Sequence, residues 1–91
     1  MSEQQTDARG FEFPCDYAVK AMGLAEPGFD ALVVEIVRRH CPDLAEGAVR
    51  SRPSRTGKYL SVTVSIQARS HDQLNAIYAD LSAHEKVLSR L

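Results

Sequence analysis

Three histidines, two cysteines and a serine-histidine-aspartate run are the residues of this sequence with the widest chemical repertoire. His40, His71 and His84 lack a helical HxxxH spacing, so they do not form a recognisable metal-ligand pattern. Ser70-His71-Asp72 has the residue types of an activated nucleophile. However, consecutive residues on a helix do not face one another, and a serine just ahead of an apolar stripe already has a use as a helix cap. Cys15 and Cys41 are far apart and have no CxxC spacing. Two cysteines in 91 residues do not make a secreted disulfide scaffold. Both read as free thiols serving as small, semi-buried hydrophobes. We therefore expect no catalytic residue, no metal site and no cofactor, and a protein that is not an enzyme.

Whole-chain properties narrow the field further. Ninety-one residues hold one core and one surface site. The formal charge of −1 gives no global attraction to nucleic acid or membrane, so binding of that kind requires a local patch. No apolar stretch approaches the ~20 residues that cross a bilayer, and no basic segment followed by an apolar one opens the chain. Residence in the cytoplasm is the expectation.

The elements that position any site follow from periodicity. Met1 to Gly10 is polar and aperiodic and reads as a disordered tail. The domain proper spans 11–91. Asp16 to Met22 alternates, with Tyr17, Val19 and Ala21 on one face and Ala18, Lys20 and Met22 on the other, and Gly23 closes this first strand. Pro27 suits the first turn of a helix whose stripe is Phe29, Leu32, Val33, Ile36, Val37 and His40. Arg38, Arg39 and His40 favour its C-terminal end, and Pro42 prevents continuation. Asp43 to Gly47 is a loop. Ala48 to Pro53 is a weak strand, and Pro53, lacking an amide hydrogen, places it at an edge.

Ser54 to Lys58 is a hairpin turn with Gly57 at a positive φ. Leu60, Val62, Val64, Ile66 and Ala68 then alternate with Tyr59, Ser61, Thr63, Ser65 and Gln67 in a third strand. Ser70 and Gln73 have the spacing of a capping box, ahead of the stripe Leu74, Ile77, Tyr78 and Leu81. Lys86 to Leu91 is a short last strand.

Strand, helix, strand, strand, helix, strand with right-handed crossovers gives an α+β domain, the ferredoxin-like βαββαβ fold. Its four-stranded antiparallel sheet carries two helices on one face. The opposite face has no helical cover, so function is sought there. It carries Ala18, Lys20 and Met22, then Arg50 and Arg52, then Tyr59, Ser61, Thr63, Ser65 and Gln67. The plain reading is a solvated strand surface with basic residues guarding an edge. The functional one is a candidate binding surface of Lys20, Met22, Arg50, Arg52, Tyr59, Ser61, Thr63 and Ser65. In it the cations meet an acidic partner or small anion while hydroxyls supply hydrogen bonds. Arg55 and Lys58 in the hairpin extend it.

Three functions known for this fold do not match the residues. An RNA-recognition module stacks bases on aromatics of its central strands, and only Tyr59 is available. A copper or zinc carrier needs soft ligands in the first loop, and Gly23-Leu-Ala-Glu-Pro-Gly28 has none. An acylphosphatase-like enzyme needs an arginine in that same loop.

Several segments together carry a resemblance: Phe13-Pro14, Lys20 with Met22-Gly23, Val33-Val34-Glu35, Arg39-His40, Gly57-Lys-Tyr-Leu-Ser-Val-Thr-Val64 and Tyr78. They resemble the YbeD-like family of small bacterial proteins, over roughly residues 11 to 91. The resemblance implies a fold similar to ACT-type regulatory domains, which bind amino acids and govern metabolic enzymes, often as pairs. It implies no established activity. It also makes the turn from Gly23 to Gly28 a second candidate site, because ligands of such domains tend to lie near the turn after the first strand. Cys15, Cys41 and a slightly longer loop after the first helix depart from the family's pattern.

The reading is a cytoplasmic regulatory or adaptor domain, ACT-like and homodimeric, that binds a metabolic enzyme or other protein partner, or a small metabolite. The alternative is anion or nucleic-acid binding through the basic open face. Nucleic acid is the less favoured ligand, and no membrane is involved.

Overall fold

The computed structural model describes residues 5, 6 and 12–90. Three long strands make up most of its sheet: β3 (Cys15–Leu24), β4 (Val49–Pro53) and β5 (Tyr59–Ala68). They follow two short strands, β1 (Gln5–Thr6) and β2 (Glu12–Phe13), which pair antiparallel with each other. The tail assigned to Met1–Gly10 otherwise lies outside the described residues.

β3 and β5 pair along their whole length, from Cys15 opposite Ala68 to Leu24 opposite Tyr59. β4 lines the far side of β5, Val49 opposite Val64 and Pro53 opposite Leu60, and forms one edge of the sheet. This is the position that Pro53 demanded.

Helix α1 (Phe29–Arg38) and helix α2 (His71–Ala83) lie on the side to which Val19, Ala21, Val62, Val64 and Ile66 point. Phe29, Val33, Ile36 and Val37 from α1 and Leu74, Ile77 and Leu81 from α2 pack against them, and Phe13, Cys41 and Ala68 are buried in the same core. Tyr17 of β3 meets Tyr78 of α2 edge to face, 6.5 Å between centroids. No helix of the described residues is long and apolar enough to cross a membrane.

Several boundaries differ from those expected. β3 does not stop at Gly23 but continues to Leu24, and Gly23 is buried. A Cβ there would overlap the Lys86 carbonyl oxygen and the Phe29 ring, so the glycine serves close packing inside a strand and not chain reversal. Pro27 lies in the turn before α1. The helix starts at Phe29 behind Gly28, whose φ of 87° belongs to the left-handed region.

Ser70 caps α2 as expected, its Oγ accepting from the Gln73 amide at 3.0 Å. The return bond is shifted by one residue: Gln73 Oε1 accepts from the Arg69 amide at 2.6 Å. A single 3-10 turn, Glu46–Ala48, precedes β4, which therefore starts at Val49.

The last strand is shorter than expected. The Lys86 amide donates to His84 Nδ1 and the Val87 amide to the His84 carbonyl, so a tight turn uses the residues that would have begun it. Among the described residues Ser89–Arg90, β6, pairs with β3 opposite Met22 and Ala21, and the Leu88 amide donates to the Met22 carbonyl at 2.8 Å; Leu91 lies outside the described residues. The outcome is an α+β domain of two helices on an antiparallel sheet, with β6 reduced to two residues.

A candidate binding face and edge

Even-numbered residues of β3 and β4 and odd-numbered residues of β5 point away from the helices, and pairing arranges them in rows. Arg50, Thr63 and Lys20 form one row across three strands. Arg52, Ser61, Met22 and Ser89 form the next. Ser65 stands opposite Ala18, and Tyr59 opposite Leu24. Lys20, Arg50, Arg52 and Ser65 are exposed, and Met22, Tyr59, Ser61 and Thr63 are half-buried. All eight residues of the expected surface thus share one face. Its parity also brings in two that the sequence reading omitted, Asp16 and Leu24, and the signal was the same alternation carried one step further in each direction.

Charge on this face is divided. Asp16 at one end is held by Gln67, whose Nε2 donates to its Oδ1. Lys20 lies four residues along the strand from Asp16, about 13 Å, too far for direct pairing. Lys20, Arg50 and Arg52 have no ion-pair partner among the described residues. Lys20 and Arg50 stand two strands apart, about 10 Å. At that distance their mutual repulsion in water is about 0.4 kcal/mol and is further screened by salt, so the fold tolerates the cluster without a counter-ion. Lys58 is engaged by Tyr59, its Nζ lying 5.4 Å from the ring centroid. The contact leaves the charge in place, and because Tyr59 belongs to the open face it keeps Lys58 beside the patch.

The second candidate is corrected in part. Gly23 belongs to a strand and faces Phe29, so it cannot line a loop site. Gly28 borders a turn beside a small depression of about 110 Å³ lined by Leu24, Glu26, Phe29, Glu85, Lys86 and Leu88. The Lys86–Glu26 ion pair, 3.3 Å, lies along this depression, and Leu24 and Leu88 are, among the described residues, the large exposed apolar side chains, 43% and 55% exposed.

His40, Cys41, Ser70 and His84, which have catalytic repertoire, make contacts that hold the fold. His40, expected in the last turn of the first helix, lies just beyond Arg38, and its Nε2 is 2.7 Å from Asp80 Oδ2, which ties the end of α1 to α2. Gln73 Nε2 donates to the His40 carbonyl at 2.9 Å and to Cys41 Sγ at 3.2 Å, reinforcing the same junction. Burial pushes the Cys41 thiol pKa above its ordinary value, with Arg69 opposing and Asp43 assisting. Such a thiol is less available as thiolate. Cys15 and Cys41 are both free.

Beyond the open face, a groove of about 600 Å³ separates the start of β4 from α1. Val49 and Val34 give it an apolar floor with Ala31, and Asp30, Glu35, Arg38 and Arg39 form its rim.

Comparison with known proteins sets these features in a family. The solution structure of protein HP0495 from H. pylori superposes with a TM-score of 0.71 over 100% of this chain and 98% of that one, at 16% identity, and so shares the fold. UPF0250 proteins from Hahella chejuensis, Azotobacter vinelandii and Neisseria gonorrhoeae are 42%, 46% and 39% identical, each match covering 96% of both chains. Residues 8–91 match the family described as Protein of unknown function (DUF493). With that match and those relatives, the chain belongs to the DUF493 family of UPF0250 proteins, the YbeD-like group that its motifs resemble.

Proposed function

We propose that this protein is a non-catalytic regulatory or adaptor domain of the cytoplasm, which acts by binding a metabolic enzyme or a small metabolite on its open sheet face. The observation that carries this reading is the set of Lys20 on β3 and Arg50 and Arg52 on β4, which flank Thr63 and Ser61 of the intervening β5 and lack ion-pair partners among the described residues. Cations held on a rigid sheet suit an acidic partner, and adjacent hydroxyls supply adaptable hydrogen bonds. The engagement of Ser70, His40 and Cys41 in caps and junctions supports a binding role over a catalytic one. The strand order β4-β5-β3-β6 supports a four-stranded ferredoxin-like, ACT-like classification, with β6 as its short last strand. We also read the domain as a homodimer.

The same three cations favour one other reading, capture of a polyanion, nucleic acid included. Salt separates the two. Affinity purification from the native cell is expected to recover a protein partner with the wild type but not with Arg50→Ala, Arg52→Ala. A partner retained by the double variant would count against the open face. A purified ligand whose affinity falls steeply and linearly with log salt would favour the polyanion.

A further inference from the structure

Edge strand β4 combines exposed backbone groups, two arginines and an apolar groove. The Ser54 amide donates to the Tyr59 carbonyl at 2.8 Å, which turns Ser54 toward β5. Backbone direction alternates along a strand, so Arg52 and Arg50 also turn their amide and carbonyl groups toward β5, while Val49, Ser51 and Pro53 turn theirs outward. The outer side thus offers amides at Val49 and Ser51 and carbonyls at Val49, Ser51 and Pro53. These are the groups an added strand would bond. Pro53, with no amide to give, sits where the ladder with β5 loses nothing.

The two faces of such an added strand would meet different chemistry. On the open face its side chains would lie beside Arg50 and Arg52. On the helix face they would lie over the groove floored by Ala31, Val34 and Val49. Neighbouring strands stand about 4.8 Å apart, so both sets of contacts lie within reach of ordinary side chains.

A second copy of this chain does not fit the edge. Every antiparallel two-fold register that overlaps three or more residues of β4 and bonds the outward groups sets an arginine opposite an arginine. Arg50 meets Arg52 of the second copy about Ser51, and Arg50 or Arg52 meets itself in the registers on either side. Like charges directly opposite one another are destabilising.

The geometry points to strand addition at β4 by an extended segment of a partner protein in which acidic and apolar residues alternate. The acids pair with Arg50 and Arg52, and the apolar side chains enter the groove against α1. This rests on the reading of the domain as a partner-binding module and names the chemistry of the partner.

The test titrates the ¹⁵N-labelled full chain with a capped hexapeptide alternating glutamate and valine. A peptide of the same composition in block order and an oligothymidylate serve as comparisons. The alternating peptide is expected to slow hydrogen exchange at the Val49 and Ser51 amides and to bind at least about tenfold more tightly than the block peptide. Arg50→Glu with Arg52→Glu is expected to weaken it by about tenfold or more. Ser51→Pro, which removes an outward amide, should weaken it comparably while the chemical shifts of β3 and α2 stay in place.

Equal binding of the two peptides would overturn strand addition. So would binding that perturbs Lys20, Thr63 and Ser65 but leaves the Val49 and Ser51 amides unprotected, although the open-face reading would then survive. Binding of the oligothymidylate with no response to the peptide would overturn it in favour of nucleic acid. Silence from all three probes would also overturn it, while the regulatory reading would fall only if affinity purification were empty as well.

Discussion

Cys41 shows how a residue with chemical potential becomes a structural one. It is 3% exposed, lies at the junction where the end of α1 meets the start of α2, and accepts a hydrogen bond from Gln73. Its folded-state pKa is raised above the ordinary 9.0, chiefly by burial. The unfolded chain therefore releases this proton first as pH rises. The contribution is fully present below the unfolded-state pKa and is lost as pH climbs from there through the folded-state value. Stability should accordingly fall on the alkaline side, and Cys41→Ala should flatten that limb when melting temperature is followed from pH 7 to 10. An unchanged alkaline limb would show that the thiol does not contribute. His40 teaches the same lesson: helical spacing placed it on the stripe of α1, but the helix ends at Arg38, and Asp80, which holds the ring, is forty residues away in the chain.

At the scale of elements, what matters most is how β3 continues past Gly23. The absence of a side chain there lets the Phe29 ring of α1 and the Lys86 carbonyl of the turn before β6 approach the strand together. Gly23→Ala forces these apart and should destabilise the domain by about 1–3 kcal/mol, the usual cost of overpacking. Urea unfolding should show a lower midpoint with an unchanged slope. Loss of stability near zero would mean that the turn moves aside freely. The sequence presented Gly23 as a stop because glycine is depleted in strands and common in turns. The competing cause, close approach by two distant segments, is not written in the local pattern. The last strand is shorter than expected for a related reason. Val87 and Leu88 have the composition of a strand, but hydrogen bonds from the Lys86 and Val87 amides to His84 hold the chain in a turn until Leu88, whose amide reaches the Met22 carbonyl.

At the scale of the whole molecule, the domain presents one open sheet face, one arginine-bearing edge and two helices. Light scattering at micromolar concentration should give about 20 kDa, twice the 10.0 kDa chain, for the expected homodimer. A mass of 10.0 kDa would count against dimerisation. The dimer contact should not use β4, since that edge sets arginine against arginine. Much of this division was legible from one sequence. Period-two alternation separated Val62, Val64 and Ile66 from Ser61, Thr63 and Ser65, and helical spacing identified the buried stripe of α1, because side-chain direction in regular elements depends only on local geometry. From alternation also came the face that Lys20, Arg50 and Arg52 share. Tertiary structure decided the rest: which residues stand opposite one another, that the groove beside Val49 opens against α1, and that His40 and Gln73 bind the helix junction. Those relations depend on register and packing between segments far apart in the chain, and local periodicity carries no information about either.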